Sequence, residues 1–595
     1  MNRYSAKTHI LLFVVLGVLL YWYTLPYPFV FDSRFYLVDN PLITDSGMFL
    51  RLLDIPAFAK AFTELDVHRD VVVTFILRPF SNLTFHLNYL LDGFDPEGYR
   101  VVNIAIHICN AILWYALLAR IIRHRNGVGS AEQQWFIPFF STLFFLVHPL
   151  NTESVTYTIQ RYTSLGTLFY LATMLLFMAS LLSSTRRQRL SAYIGSVITL
   201  VVGMLSQENL ITAPITLVLM GVILLRLPPR TVLLRASAHI CCLPIIPLLV
   251  YLISRAQAEG QKSLSNISRV IDGYPPYEYA ITQSRAILTY FRMLVAPYGQ
   301  NIDPSYPLYR SFAEPEIIIS LTILALFVIA GVMLQSGKRR SLHNDLLSFC
   351  IFFSLLALSV SSSFFPLPDL MTEHRGYLFS LPAITGLVCR IDSLRPQFSP
   401  LWATRLIILL AVVAAMYSAL TVKRNLLYSS SLALWQDSVS KSPDKWRPNY
   451  NAGVAAIDEQ QYQKAIPFFR RSIQISPYKI EGYSNLGSTY LALADFHSAI
   501  SAYLEGLAVG GDSPVLLVNL GNAYRQAGQL QDAIEVLEKS VQANPYLIMP
   551  YRILAELYAG LGHREKALQN VRMARELDSG DHSLVLLEEE ILKLK

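Results

Sequence analysis

ILLFVVLGVLLYWYTLPYPFVFDSRFYLVDNPLI (residues 10–43) runs from an apolar stretch straight into a loop whose first acid, Asp32, sits among Phe29, Phe31 and Phe35. Such a loop is either a plain connector or a place where an acid lies at the mouth of a membrane cavity. The rest of the chain has to decide between them. Of the 595 residues 53% are hydrophobic, and the mean hydropathy is +0.39; soluble domains are roughly 45–50% apolar. The excess ends near Thr421, after which charge density is that of a soluble domain. Apolar segments of spanning character centre on 10–23, 101–122, 136–148, 163–182, 193–205, 211–225, 232–253, 317–334, 346–364, 377–388 and 406–420. That makes about eleven transmembrane helices, three or four short enough to be bent, tilted or partly buried in protein.

Short basic loops punctuate these segments: Arg3 and Lys7; Arg120, Arg123 and Arg125; Arg186, Arg187 and Arg189; Arg226, Arg230 and Arg235; Lys338, Arg339 and Arg340; Arg390, Arg395 and Arg405. With eleven spans all six clusters fall on one side, which an excess of Lys and Arg marks as cytoplasmic. The N-terminus is then cytoplasmic and the C-terminal domain lies across the membrane. These loops account for the net charge of +7 without nucleic acid. No A-x-A-like cleavage site follows the first apolar run, so it reads as a retained span. Cys109, Cys241, Cys242, Cys350 and Cys389 all lie in apolar runs and are odd in number, against a disulfide framework or a CxxC metal site. The loops of the opposite face carry Asp32, Asp39, Glu64, Asp66, Asp70, Asp92, Asp95, Glu153, Glu208, Asp272, Asp303, Asp369 and Glu373. Any chemistry is expected there.

From Trp446 the chain repeats every 34 residues: Gly453, Gly487, Gly521 and Ala555 share one phase, Ala465, Ala499, Ala533 and Ala567 a second, and Phe469, Tyr503, Leu537 and Val571 a third. Small residues let paired helices approach and the large one fills the gap, which is the tetratricopeptide pattern. Four units, 446–479, 480–513, 514–547 and 548–581, precede a polar capping helix near 583–593. Asn451, Asn485 and Asn519 make a row on three first helices. On a concave face their amides would hold the backbone of an extended acceptor peptide, although Asn is also ordinary there. The domain reads as a protein-binding surface.

Five stretches of the membrane part hold polar residues where apolar ones would cost less: FVFDSR (29–34); LRPFSNLTF (77–85), with Arg78, leading to GYRVVNIAIH (98–107); HPLNTESVTYTIQRYTSLGTLFY (148–170); SQENL (206–210); and LMTEHRGYLFSLP (370–382). A charge within a span costs about 2.5–3.5 kcal/mol and therefore tends to face a cavity. Asn103 and His107 follow Arg100 on one helix face. Taken singly, His107 and His148 read as helix-packing or interface residues more readily than as ligands, Glu208 either caps a turn or serves a site, and an Arg at a span's end usually reaches for headgroups. Arg161 and Arg375, however, lie on the side away from the basic loops and call for an anion, such as a lipid-linked phosphate.

FVFDSRFYLVDNP, RPFSNLTFHLN, GYRVVNIAIH, HPLNTESVTYTIQR, QEN and TEHRGYL, in this order and followed by the repeats, resemble the transmembrane and tetratricopeptide-repeat O-mannosyltransferases and, more closely, their bacterial relatives. These are membrane glycosyltransferases of the GT-C class. The resemblance implies an all-α protein: a polytopic GT-C-like domain (1–422), a connecting helical segment (423–445) and a tetratricopeptide superhelix (446–595). It implies transfer of a sugar, mannose or another hexose, from a polyprenyl-phosphate donor to a Ser or Thr hydroxyl of a protein held by the repeats. The reaction would occur on the extracytoplasmic face, here the periplasmic side of a bacterial inner membrane. The family's catalytic acid lies in the first outer loop and falls on Asp32. Two departures stand out. Paired acids are replaced by Asp32–Ser33, so a divalent metal bridging such a pair stays open but unsupported, and the Lys before the Glu–Asn turn is Gln207. A sugar phosphate already carries a good leaving group, so one carboxylate can take the acceptor's proton while cations hold the phosphate. Asp32 is the expected base. Arg375, then Arg161 or Arg78, would bind the phosphate, with Glu373, His374, Gln207 and Glu208 orienting the clamp or lining the cavity. No resident cofactor is assigned beyond the lipid-linked donor. Two rivals stay open: a non-catalytic scaffold with a degenerate Asp32–Ser33 loop, and transfer to a lipid or glycan. A transporter is disfavoured because no matched pair of broken spans occurs.

Overall fold

The computed structural model describes residues 3–51, 69–126, 135–251, 274–336, 341–363 and 366–593. Helices make up most of the described residues, with no strand among them. The chain divides into two compact units, Met1–Ser430 and Ser431–Lys595.

Among the described residues of the first unit eight helices are long and apolar enough to cross a membrane: Ala6–Thr24, Pro96–Asn126, Thr158–Leu182, Pro229–Tyr251, Pro315–Ser336, Leu342–Ser359, Glu373–Leu394 and Pro400–Ser429. The remaining three of the eleven expected spans differ from these. Phe136–Val147 and Glu208–Leu224 are shorter apolar helices, and 193–205 lies within the Arg186–Met204 helix, whose first turn carries Arg186, Arg187 and Arg189. The 12 residues of Phe136–Val147 reach about 18 Å at 1.5 Å per residue, short of a hydrocarbon core of about 30 Å. Eleven of them, all but Phe139, are buried in protein. Burial sorts the long helices as well. Over the most apolar 18 residues of each, Glu373–Leu394 is 72% and Pro96–Asn126 61% buried, whereas Pro315–Ser336 and Pro229–Tyr251 are each 17% buried. The former, with Phe136–Val147, make the centre. The latter turn Ile318, Ile319, Leu234 and their neighbours outward, as lipid-facing helices do.

The basic loops meet at one end of this unit. Asp345, wholly buried, accepts from Arg125 Nη1 at 2.7 Å and Arg226 Nε at 2.9 Å. Arg395 and His343 close on Asp392, each at 2.9 Å. Lys338, Arg339 and Arg340 lie outside the described residues, as do Glu64, Asp66 and Asp272.

The second unit starts with Ser431–Lys441 and continues in helix pairs Trp446–Asp458 with Tyr462–Ile475, Ile480–Ala492 with Phe496–Gly510, Pro514–Gln526 with Leu530–Ala543, and Ile548–Gly560 with Arg564–Leu577, capped by His582–Lys593. A Cβ on Gly453, Gly487 or Gly521 would lie 2.6, 2.5 and 2.6 Å from Phe469, Tyr503 and Leu537, so each glycine makes room for its large partner. The turn inside each pair needs a left-handed residue: Gln460, Ala494, Gly528 and Gly562 have φ of +58°, +57°, +77° and +76°.

Two outcomes are expected. Asp345→Ala leaves two arginines without their shared carboxylate and lowers unfolding stability by about 3 kcal/mol, measured by thermal unfolding of the detergent-solubilised protein. Gly528→Ala forces a side chain into the left-handed region at about 1 kcal/mol, visible as faster hydrogen exchange across Pro514–Gln526 and Leu530–Ala543.

Candidate functional site

The loop that follows the first span is held from outside. Arg100, buried at the start of the Pro96–Asn126 helix, donates to Leu25 O at 3.0 Å, to Pro28 O at 2.7 Å and to Tyr27 O. The chain then turns at Phe31, whose φ of +51° is a left-handed conformation that costs a non-glycine residue roughly 1–2 kcal/mol. Its ring stacks on Tyr157, with centroids 6.0 Å apart and planes 17° from parallel. The next residue is Asp32, whose backbone N–H donates to the Tyr157 hydroxyl at 3.0 Å. Burial, reinforced by the Asp32 carboxylate, raises that hydroxyl well above its ordinary pKa of 10.0, so it stays protonated.

Tyr157 belongs to a buried turn that Asn103 grips, donating to Val155 O and Thr158 O at 3.2 Å each. Thr156 is fixed in addition by Asn425, at 2.5 Å. One turn before Tyr157 lies Glu153, only 2% exposed. Its Oε1 is 2.6 Å from His374 Nδ1, and His374 Nε2 is 3.2 Å from Thr372 Oγ1. The segment leading to His374 is pinned by the Pro276–Val295 helix: Tyr279 donates to Ser361 O at 2.6 Å, Gln283 to Leu370 O at 2.9 Å and Tyr290 to Thr372 O at 2.7 Å. Burial raises the Tyr279 hydroxyl's pKa, and Arg375 beside it pulls it back. Two polar atoms in this cluster are buried without a hydrogen-bond partner, Arg375 Nη1 and Glu153 Oε2. Arg375 also precedes the Gly376–Leu394 helix, whose first amides carry partial positive charge. Asp32, Tyr157, Glu153, His374 and Arg375 thus form one chain of contacts drawn from three loops.

Other expected site residues are taken up by the framework. Arg161 is wholly buried, and protein oxygens take its donors. It donates to Asn103 Oδ1 and Asn88 Oδ1 at 2.7 Å, Tyr99 O at 2.8 Å and Thr84 at 3.2 Å, with its guanidinium 4.3 Å from the Phe85 ring centroid. Arg78 and Glu208 neutralise each other in a two-pronged pair at 2.9 and 3.1 Å. Glu373, expected beside the clamp, has its oxygens engaged by other partners. It accepts from Gln300 at 3.0 Å and from the Asn301 backbone, with Arg424 at 3.5 Å. Gln207 packs on Gly166, where a Cβ would lie 2.4 Å from its Oε1. His107 bridges Tyr377 Oη at 2.7 Å and Leu146 O at 3.2 Å. His148 accepts from Leu150 N–H at Nδ1, so its Nε2 donates to Leu294 O at 2.8 Å. Asn485 and Asn519 donate to Tyr450 and Ser484 of the preceding repeat, at 2.8 and 3.1 Å, while Asn451 begins the row, half-buried. A cavity of about 410 Å³ lined by Arg120, Arg123, His124, Met178, Ala179, Leu182 and Ser183 lies at the opposite end of the unit. Among the described residues no three His, Cys, Asp or Glu side chains group as metal ligands.

Sequence reasoning passed over Arg100, Tyr157 and Arg424, and it gave Glu153 no task. Glu153 alone carried a signal, as the acid of HPLNTES.

Tetratricopeptide repeat families match residues 447–479 and 484–548. Over 95% of its length the chain is 22% identical to Protein O-mannosyl-transferase TMTC3 of Homo sapiens. It is 24% identical over 73% of its length to Protein O-mannosyl-transferase Tmtc3 of Drosophila melanogaster. The chain is a relative of the transmembrane and tetratricopeptide-repeat O-mannosyltransferases. It spans 63% and 52% of the lengths of these two relatives. A crystal structure of MamA aligns over 26% of the chain and 90% of its own, at 22% identity and a TM-score of 0.24.

Arg161→Lys replaces a planar fork of five donors by a point charge with three. It should lower stability by about 2 kcal/mol, read by thermal unfolding; a phosphate-binding Arg161 would leave stability unchanged.

Proposed function

We propose that this protein is a membrane glycosyltransferase that moves a hexose from a polyprenyl-phosphate donor to a protein Ser or Thr hydroxyl on the extracytoplasmic face. The observation that carries this reading is the buried, unpartnered Arg375 Nη1 in the same contact chain as Asp32. An unmet buried donor of this kind costs roughly 1–3 kcal/mol, and a phosphate oxygen would meet it.

The acceptor oxygen attacks the anomeric carbon from the side opposite the phosphate, and its proton passes to the Asp32 carboxylate. The bond from that carbon to the phosphate oxygen breaks, the electron pair leaves with the phosphate, and the growing charge falls on Arg375 and the helix start behind it. The product is inverted at the anomeric carbon. Tyr157 holds the Asp32 backbone, and Arg100 holds the loop before it, so the base is placed before substrate arrives. Arg78 and Glu208, as a neutral pair, line the donor cavity without competing for phosphate.

Stacked repeats make a groove suited to an extended acceptor protein. The Asn485 and Asn519 amide nitrogens join neighbouring repeats, which leaves the amide oxygens, with Asn451, for a peptide's N–H groups. The basic end of the membrane unit faces the cytoplasm, so Asp32 and the repeats lie in the periplasm of a bacterial inner membrane.

Asp32→Asn should cut transfer from polyprenyl-phosphate mannose to protein by roughly 100- to 10,000-fold, with membrane level and unfolding temperature unchanged. Undiminished transfer would remove Asp32 from the mechanism, and its absence in the wild type as well would favour a scaffold.

A further inference from the structure

We propose that Glu153 reads the sugar of the donor, its free carboxylate oxygen accepting a hydroxyl of the hexose while Arg375 holds the phosphate. This rests on the sugar-phosphate reading of the site. Glu153 is 2% exposed, and only Oε1 is used, by His374 at 2.6 Å. Its Oε2 is buried without a partner. Buried charges are held by hydrogen bonds because desolvation otherwise goes uncompensated, so an ionisable carboxylate with half its acceptors unmet calls for a donor.

The position of Glu153 does not depend on that missing bond. Asn103 and Asn425 fix the turn through Val155 O, Thr158 O and Thr156, so the carboxylate is presented by a rigid frame. Arg375, which follows His374 in the chain, offers the complementary lack, a donor without an acceptor. One unmet acceptor therefore lies on the carboxylate bonded to His374, and one unmet donor on the residue next to it. A bare phosphate meets Arg375 and is repelled by Glu153. A neutral sugar meets Glu153 and leaves the guanidinium unpaired. A hexose phosphate offers both, a hydroxyl to the carboxylate and an anionic oxygen to the arginine.

Neither neighbouring acid can take this part. Glu373 has both oxygens engaged, by Gln300, Asn301 and Arg424, and Asp32 is reserved for the acceptor's proton. Ser33, which stands where a second acid is missing, is fully buried with its own hydroxyl unpartnered. The carboxylate that the Asp32–Ser33 loop lacks is supplied across Tyr157, from another loop.

The test is calorimetric titration of the intact, detergent-solubilised protein with mannose 1-phosphate, glucose 1-phosphate and inorganic phosphate. At least one hexose phosphate should bind the wild type about tenfold more tightly than inorganic phosphate, the worth of one charge-assisted hydrogen bond. Glu153→Gln should abolish that gap, with inorganic phosphate, no longer repelled, binding the variant at least as tightly as the wild type. Hexose phosphates binding the wild type no better than inorganic phosphate, or a gap that survives in Glu153→Gln, would overturn the proposal. Should the variant fail to fold, singly deoxygenated hexose phosphates on the wild type decide: one must lose about tenfold, and uniform binding refutes the contact. Should the wild type bind hexose phosphates in this way yet transfer no sugar to protein, the transferase reading fails and the sugar-reading role of Glu153 stands.

Discussion

Backbone carbonyls that turn at membrane depth cannot rely on water and must find their donors inside the protein. In this chain two guanidinium groups meet that demand. Arg100 gathers three carbonyls of the loop after the first span. Arg161 gathers Tyr99 O and Thr84 O together with the side chains of Asn88 and Asn103, and Asn103 passes the grip on to the turn that carries Tyr157. Without this framework Asp32, Glu153 and Arg375 would sit on independent loops. With it Asp32 and Glu153 are both held to Tyr157, and Glu153 meets His374, the residue before Arg375.

The charges of the membrane unit divide by end, and each end treats them differently. At the basic end Asp345 is met by Arg125 and Arg226, and the pairing locks helices together. At the other end Arg78 meets Glu208 and Arg424 meets Glu373, and these pairs likewise do structural work. Glu153 and Arg375 each keep one buried atom unmatched. Such incomplete pairing lowers stability, and proteins retain it where a ligand completes it. Among these paired acids Glu153 differs from Asp345, Glu208 and Glu373 in keeping one buried oxygen unmatched, a distinction that net charge and position along a span do not reveal.

That distinction explains what the sequence could and could not disclose. The repeats were legible because a 34-residue period fixes which glycine faces which ring, and Gly453 against Phe469 is the packing that the period demands. The long spans were legible from hydropathy. Phe136–Val147 was harder, since a buried helix and a lipid-facing one share a composition and differ only in what surrounds them. At the site, an arginine on the outward side announces a need for acceptors but not their source. For Arg161 they are protein oxygens, and for Arg375 one donor stays open. For Asn485 and Asn519 the sequence leaves open a peptide-holding row or an ordinary repeat position, and their nitrogens join adjacent repeats, a contact that one repeat's sequence does not contain. Tyr157 gave no signal, because its part depends on a stacking contact with Phe31, 126 positions away in the chain.

The central claim is that a lipid-borne phosphate rests on Arg375, next to the acid of the first outer loop. A density map of the intact protein with polyprenyl-phosphate mannose tests it most directly. The account predicts phosphate density within hydrogen-bond distance of Arg375 Nη1 and the sugar between it and Asp32. Phosphate bound instead in the Arg120–Arg123 cavity at the other end, with Arg375 Nη1 still unfilled, would contradict it.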